Sequence, residues 1–191
     1  MCARRYTETE NNVIGLVHLT DAATAPRAAG TLPCPGEPRA VAFYNDDLLL
    51  AAILTSDDYV RTSGVLRVLR CSLFPDAYSY SYSQDYVVHT VELGGQPDWI
   101  AVSPDKQYVV VAVENERDPY LEDDCQGYCP PPQMPGGYVV VFNSSAADPA
   151  AWTNRTVNIT GLDDCLYGSD PEPEFVAINE DNIAVVTRTT V

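Results

Sequence analysis

The amino-acid sequence predicts an all-β fold. Val, Ile, Thr and Tyr are plentiful among the 191 residues, long stretches of helical periodicity are missing, and a pair of short apolar strands joined by a polar turn occurs three times. The three copies cover residues 37–54, 96–113 and 172–187. Each opens on a polar residue, a proline and a charge: Glu37-Pro38-Arg39, Gln96-Pro97-Asp98 and Glu172-Pro173-Glu174. The turns between the paired strands, Asn45-Asp46-Asp47, Ser103-Pro104-Asp105 and Asn179-Glu180-Asp181, use side chains that hydrogen-bond their own backbone and so favour tight reversals.

The first two copies are each followed by two more strand-like runs, at 65–72 and 86–93 and at 137–143 and 155–160. Ahead of the first copy, 13–19 and roughly 27–31 read as the closing strands of an earlier unit. Four antiparallel strands per repeat is the blade of a β-propeller. The expected organisation is one partial propeller over 1–191: a half blade at 11–35, blades at 37–93 and 96–160, and a half blade at 172–191. That amounts to about three blades, whereas propellers typically have four to eight. The sequence therefore predicts a fragment of a longer propeller, completed by further blades of a parent chain or by an associating copy.

Charge and cysteine content bound the partners. The net charge is −16, which repels phosphate backbones and makes nucleic acid an unsuitable partner. Residues 1–95 carry 11 acids and 7 arginines, whereas 96–191 carry 16 acids and 4 bases, so a cation would go to the second half. No apolar run is long enough to span a bilayer. The six cysteines form no C-x-x-C pair, and with two histidines a zinc site is not expected. Cys125 and Cys129 lie in a Pro/Gly-rich segment, and with Cys165 they are the disulfide candidates. Three N-x-[ST] sequons, at Asn143, Asn154 and Asn158, point to glycosylation and to an extracellular or cell-surface location, although no signal peptide is visible in the sequence.

The stretch from Gln96 to Glu116, with Pro97-Asp98, Ser103-Pro104-Asp105 and Glu114-Asn115-Glu116, resembles the choice-of-anchor I domain family, which includes mesenchyme-specific cell surface glycoproteins. The similarity extends over about residues 37–187. It implies a secreted, seven-bladed propeller, and it implies fold and location better than activity, because bacterial members are often joined to phosphatase or nucleotidase modules. Lys106 stands where the family has a glycine after the Pro-Asp turn, and the family's polar segment after the last strand is replaced by Arg188-Thr189-Thr190-Val191.

In propeller geometry the loops 55–64, 94–97, 114–136 and 161–173 share one face, where function is usually carried. That face offers Glu114, Glu116, Asp118, Glu122, Asp123, Asp124, Asp163, Asp164 and Asp170. Clustered carboxylates repel one another, and a hard cation relieves that, so Ca²⁺ is the expected cofactor, with Glu114, Glu116, Asp118, Asp123, Asp124, Asp163 and Asp164 as metal candidates. A second candidate is a ring formed by the equivalent residues Arg39, Asp98 and Glu174 at the entry of the inner strands, binding a polar ligand. There is no G-x-S-x-G and no glycine-rich phosphate loop, and His18 and His89 are expected to be buried structural residues within strands. No catalytic residue is assigned. The favoured function is a non-catalytic extracellular module for adhesion or ligand binding. Its partners would be an extracellular protein, a glycan, or a small anion held through the metal. The alternative is a Ca²⁺-dependent, phytase-like or alkaline-phosphatase-type phosphomonoesterase.

Overall fold

A computed structural model of the chain describes residues 3–8, 12–19, 25–56, 61–74, 84–115, 135–160 and 172–188. These residues form antiparallel strands in four small sheets, each a simple meander. The first sheet holds β1 (Ala3–Glu8), β2 (Val13–His18) and β3 (Arg27–Pro33). The second runs β4 (Glu37–Phe43), β5 (Leu48–Leu54), β6 (Gly64–Arg70) and β7 (Val87–Glu92). The third runs β8 (Pro97–Val102), β9 (Tyr108–Val113), β10 (Tyr138–Asn143) and β11 (Thr153–Asn158). The fourth pairs β12 (Pro173–Ile178) with β13 (Ala184–Arg188).

Three details differ from the sequence reading. The first group was expected to begin at residue 11, but β1 adds a third strand that pairs with β2 along its whole length. Strand β11 starts two residues before the expected 155 because all six of its side chains are exposed, so no alternation marks its start. His89, expected to be buried, is half-buried on β7, and the side chain of His18 lies outside the described residues.

The sheets stack face to face. In β5, Leu49, Ala51 and Ile53 pack toward Ile14 and Leu32 of the first sheet. The alternate residues, Leu48, Leu50 and Ala52, pack with Val109, Val111, Val113, Val140 and Phe142 of the third. In β9 the same division recurs one sheet later, with Val110 and Ala112 facing Val176 of β12. Successive side chains of a strand point to opposite faces, so a strand apolar throughout is what burial on both faces requires. The first strands of the second, third and fourth sheets also lie side by side, β4 against β8 and β8 against β12.

Turn chemistry fixes the hairpins. Asn45 Oδ1 accepts the amides of Asp47 and Leu48, and Asn179 Oδ1 accepts those of Asp181 and Ile183. In the third sheet Ser103 Oγ accepts the Tyr108 amide and donates to Asp105 Oδ1 at 2.6 Å. Lys106 and Asn182 take the same position in their turns and the same left-handed backbone, with φ of 62° and 60°. That conformation is what glycine supplies most easily, which accounts for a glycine at this place in similar turns.

These hairpin turns also tie neighbouring sheets together at one end of the stack. The Tyr44 hydroxyl lies 2.7 Å from the carbonyls of both Lys106 and Ser144, and its ring packs on Trp152 with centroids 4.9 Å apart. Asn182 donates to Asp105 Oδ2 at 2.9 Å.

Two measurements check this architecture. Phe142 is fully buried between the second and third sheets, so Phe142→Ala is expected to lower the free energy of unfolding by about 3–5 kcal/mol in chemical denaturation. The second measurement concerns pH. Hydrogen bonds from Asn182, Ser103 and the Gln107 amide hold the Asp105 carboxyl below its ordinary value of 3.8. A depressed carboxyl contributes stability that is fully present above its unfolded pKa and is lost as pH falls toward the folded one. Acid unfolding below about pH 4 is therefore expected to be less steep in Asp105→Asn than in the native chain.

Candidate functional site

The equivalent residues Arg39, Asp98 and Glu174 share one backbone feature. In β4 the pairing with β5 runs from Pro38 to Ala40 with Arg39 skipped. Pairing of β8 with β9 skips Asp98, and pairing of β12 with β13 skips Glu174. Each is the extra residue of a β-bulge next to the repeat proline, released from the ladder. A bulge re-aims a side chain that would otherwise follow strict alternation.

The bulges bring charges of different repeats together. Arg39 Nη1 donates to Glu37 Oε1 at 2.9 Å, and Nη2 lies 3.4 Å from Asp98 Oδ1 and 3.8 Å from Glu114 Oε2. One guanidinium thus serves three carboxylates. Burial works against its charge, but the hydrogen bond to Glu37 and the charges of Asp98, Glu37 and Glu114 outweigh it and hold Arg39 above its ordinary pKa. The side chains of Arg39 and Asp98 are mostly covered, and that of Glu114 is more so, which makes the attraction stronger than at an exposed surface. Glu174 takes the equivalent bulge on β12 and is half-buried.

A buried amide shapes the floor beside this network. Asn115, fully buried with φ of 52°, accepts the Gln96 amide at 2.8 Å and donates to the Pro135 carbonyl at 3.1 Å. It joins the connector into β8, the end of β9 and the approach to β10. A side chain at Gly95 would bring its Cβ within 2.3 Å of Asn115 Oδ1, so glycine is needed there for the clasp to close. The Glu114 amide bonds the Gln96 carbonyl, which turns the Glu114 backbone in the same direction. Neither Glu37 nor Asn115 was singled out from sequence as a site residue. The signal for Glu37 is its place before the repeat proline, shared with Gln96 and Glu172.

Of the expected Ca²⁺ ligands, Glu114 alone falls in the described residues, and its carboxylate is turned toward Arg39. Among the described residues no three His, Cys, Asp or Glu side chains converge as metal ligands. Glu116, Asp118, Asp123, Asp124, Asp163 and Asp164 lie outside the described residues, as do Cys125, Cys129 and Cys165. Cys34 and Cys71 are free thiols against the packing between the first two sheets. Burial pushes Cys34 up to about 12, and burial together with the Asp47 charge pushes Cys71 up to about 11, so neither is a ready nucleophile.

The three sequon asparagines are exposed and belong to the third sheet. Asn154 and Asn158 lie on the edge strand β11, and Asn143 ends β10, where its Oδ1 accepts from the amide and hydroxyl of Ser145. No protein-family model matches the chain, and no curated protein matches it.

Breaking the charge network gives a direct check. Arg39→Met leaves three carboxylates without their shared cation and is expected to cost about 1–3 kcal/mol of stability. Adding Asp98→Asn is expected to restore part of that loss, giving a coupling above about 0.5 kcal/mol in a double-mutant cycle read by urea unfolding. Strict additivity would show that the two groups do not interact.

Proposed function

We propose that the chain is part of an extracellular β-propeller that binds a ligand or partner at the bulged ends of its inner strands and does not transform it. The observation that carries this reading is the common bulge at Arg39, Asp98 and Glu174, repeated on three adjoining first strands of face-to-face sheets. Side-by-side first strands with outer strands fanning away is the arrangement that radial blades require. On this reading β1, β2 and β3 are the second to fourth strands of a blade, because β1 meets β4 as β5 meets β8 and β9 meets β12.

Binding follows from the chemistry at those ends. The network carries one positive and three negative groups and is held in place by packing and hydrogen bonds, which favours a ligand bearing donors, such as a sugar hydroxyl or an amine. The exposed sequons on β10 and β11 agree with a secreted glycoprotein, as does the resemblance to the choice-of-anchor I family. Ca²⁺ belongs to this proposal through the loop carboxylates beyond Glu114.

The test uses the secreted, glycosylated chain on a glycan array and a panel of extracellular proteins. Specific binding that falls about tenfold or more in the Asp98→Ala, Glu174→Ala double variant is the expected result, equivalent to a loss of about 1.4 kcal/mol. A thermal midpoint that rises with Ca²⁺ and falls with chelator would support the loop cation. Ca²⁺-dependent hydrolysis of p-nitrophenyl phosphate, abolished by Glu114→Gln, would overturn the non-catalytic reading.

A further inference from the structure

The bulged rim has two seams between neighbouring first strands, and they are filled differently. At the seam of β4 and β8 the chain supplies its own cation. The Arg39 guanidinium lies between Glu37 of its own strand and Asp98 and Glu114 of the next sheet. The residue after it, Ala40, is buried. At the seam of β8 and β12 the equivalent bulges carry Asp98 and Glu174, so both places hold an acid and neither holds a base. The residues that follow these two bulges are aromatic, Trp99 and Phe175.

The register places the indole in this second seam. Trp99 lies opposite Ala112, and Ala112 packs toward the fourth sheet. Directly opposed residues share a face, so Trp99 stands on the side of β8 that looks to β12. Phe175 of β12 meets it edge to face, with ring centroids 4.9 Å apart. Trp99 is nevertheless 38 % exposed. Strands stand on both sides of this ring, so its exposure belongs to the seam itself.

Two physical terms then act at one place. Acids at both bulges set a negative potential, which favours a positive ligand. The face of an indole carries the negative part of the ring quadrupole and attracts the same charge. A methylated ammonium also brings apolar surface to lay on the rings, which a metal ion does not.

We infer that the seam of β8 and β12 binds an organic ammonium, a quaternary or methylated amine, which stacks on Trp99 and takes beside Asp98 and Glu174 the place that Arg39 takes at the first seam. The inference rests on the rim reading proposed above and narrows it to one seam and one ligand class. The chain carries the template for the contact, because its own guanidinium already bridges neighbouring repeats one strand earlier.

Choline is the probe, titrated against the secreted chain and followed by saturation-transfer NMR of its methyl protons. The control is its neutral carbon isostere, in which a tert-butyl group replaces the trimethylammonium. Choline is expected to bind about fivefold or more tightly than the isostere. Trp99→Leu is expected to weaken choline by about fivefold or more, whereas Trp99→Phe keeps a ring and most of the binding. A peptide carrying trimethyllysine distinguishes the source of the ligand. Tighter binding than choline places the amine on a protein, and equal or weaker binding makes it a free small molecule. Equal binding of choline and its isostere, or binding that Trp99→Leu leaves unchanged in a chain that still folds, would overturn the inference. A glycan or protein ligand found at the rim while choline fails would also overturn it and leave the broader rim reading standing. Choline binding that depends on Trp99 supports the inference even where the glycan array and the protein panel give no ligand.

Discussion

The stack depends on the second strand of each four-stranded sheet being buried on both faces. In β5 and β9 every residue but one is buried, and the side chains alternate between the sheet before and the sheet after. Apolar burial contributes roughly 25 cal/mol per Å², so these strands bring two interfaces' worth of stabilisation through one backbone. The same property removes a safeguard. Where one face is wet, a one-residue slip exposes the apolar set and is rejected, but a strand apolar on both sides gives no such signal. Register has to be set elsewhere, and here it is set by the turns. Asn45, Ser103 and Asn179 each fix the hairpin that leads into the second strand.

The two ends of the stack use different chemistry. At the hairpin end, neutral and singly charged hydrogen bonds join one turn to the next, through Tyr44 to Lys106 and through Asn182 to Asp105. At the other end, the bulges and the Asn115 clasp gather Glu37, Arg39, Asp98 and Glu114. A guanidinium presents several donors in one plane and stays charged, so it can hold three carboxylates where a lysine would hold fewer in a fixed geometry. The hairpin end ties the scaffold together, while the bulged end gathers charged side chains of two repeats.

Much of the strand order was legible because the repeat shows itself in both pattern and turn residues. What escaped the sequence did so for identifiable reasons. β1 reads Ala-Arg-Arg-Tyr-Thr-Glu, which lacks the apolar run that marked the other first and second strands. The bulges were invisible because a proline followed by a charge reads alike with or without a skipped pairing. Glu114 stands two residues before Glu116 in sequence and was grouped with the loop acids, but its partner Arg39 belongs to a different repeat. Only the contact of β4 with β8 makes them neighbours.

The bulge has a consequence for how such a repeat can vary. A residue skipped by the ladder has no opposite residue in the register to match and no alternation to obey, so the apolar core does not set its identity. The three copies here carry Arg, Asp and Glu at that place, while their flanking prolines and apolar runs keep the same type. The scaffold thus offers one interchangeable letter per repeat, all written on the same rim. Divergence could change the charge around that rim sheet by sheet, and with it the choice of ligand, without repacking the apolar core, provided that the carboxylates gathered around Arg39 change with it.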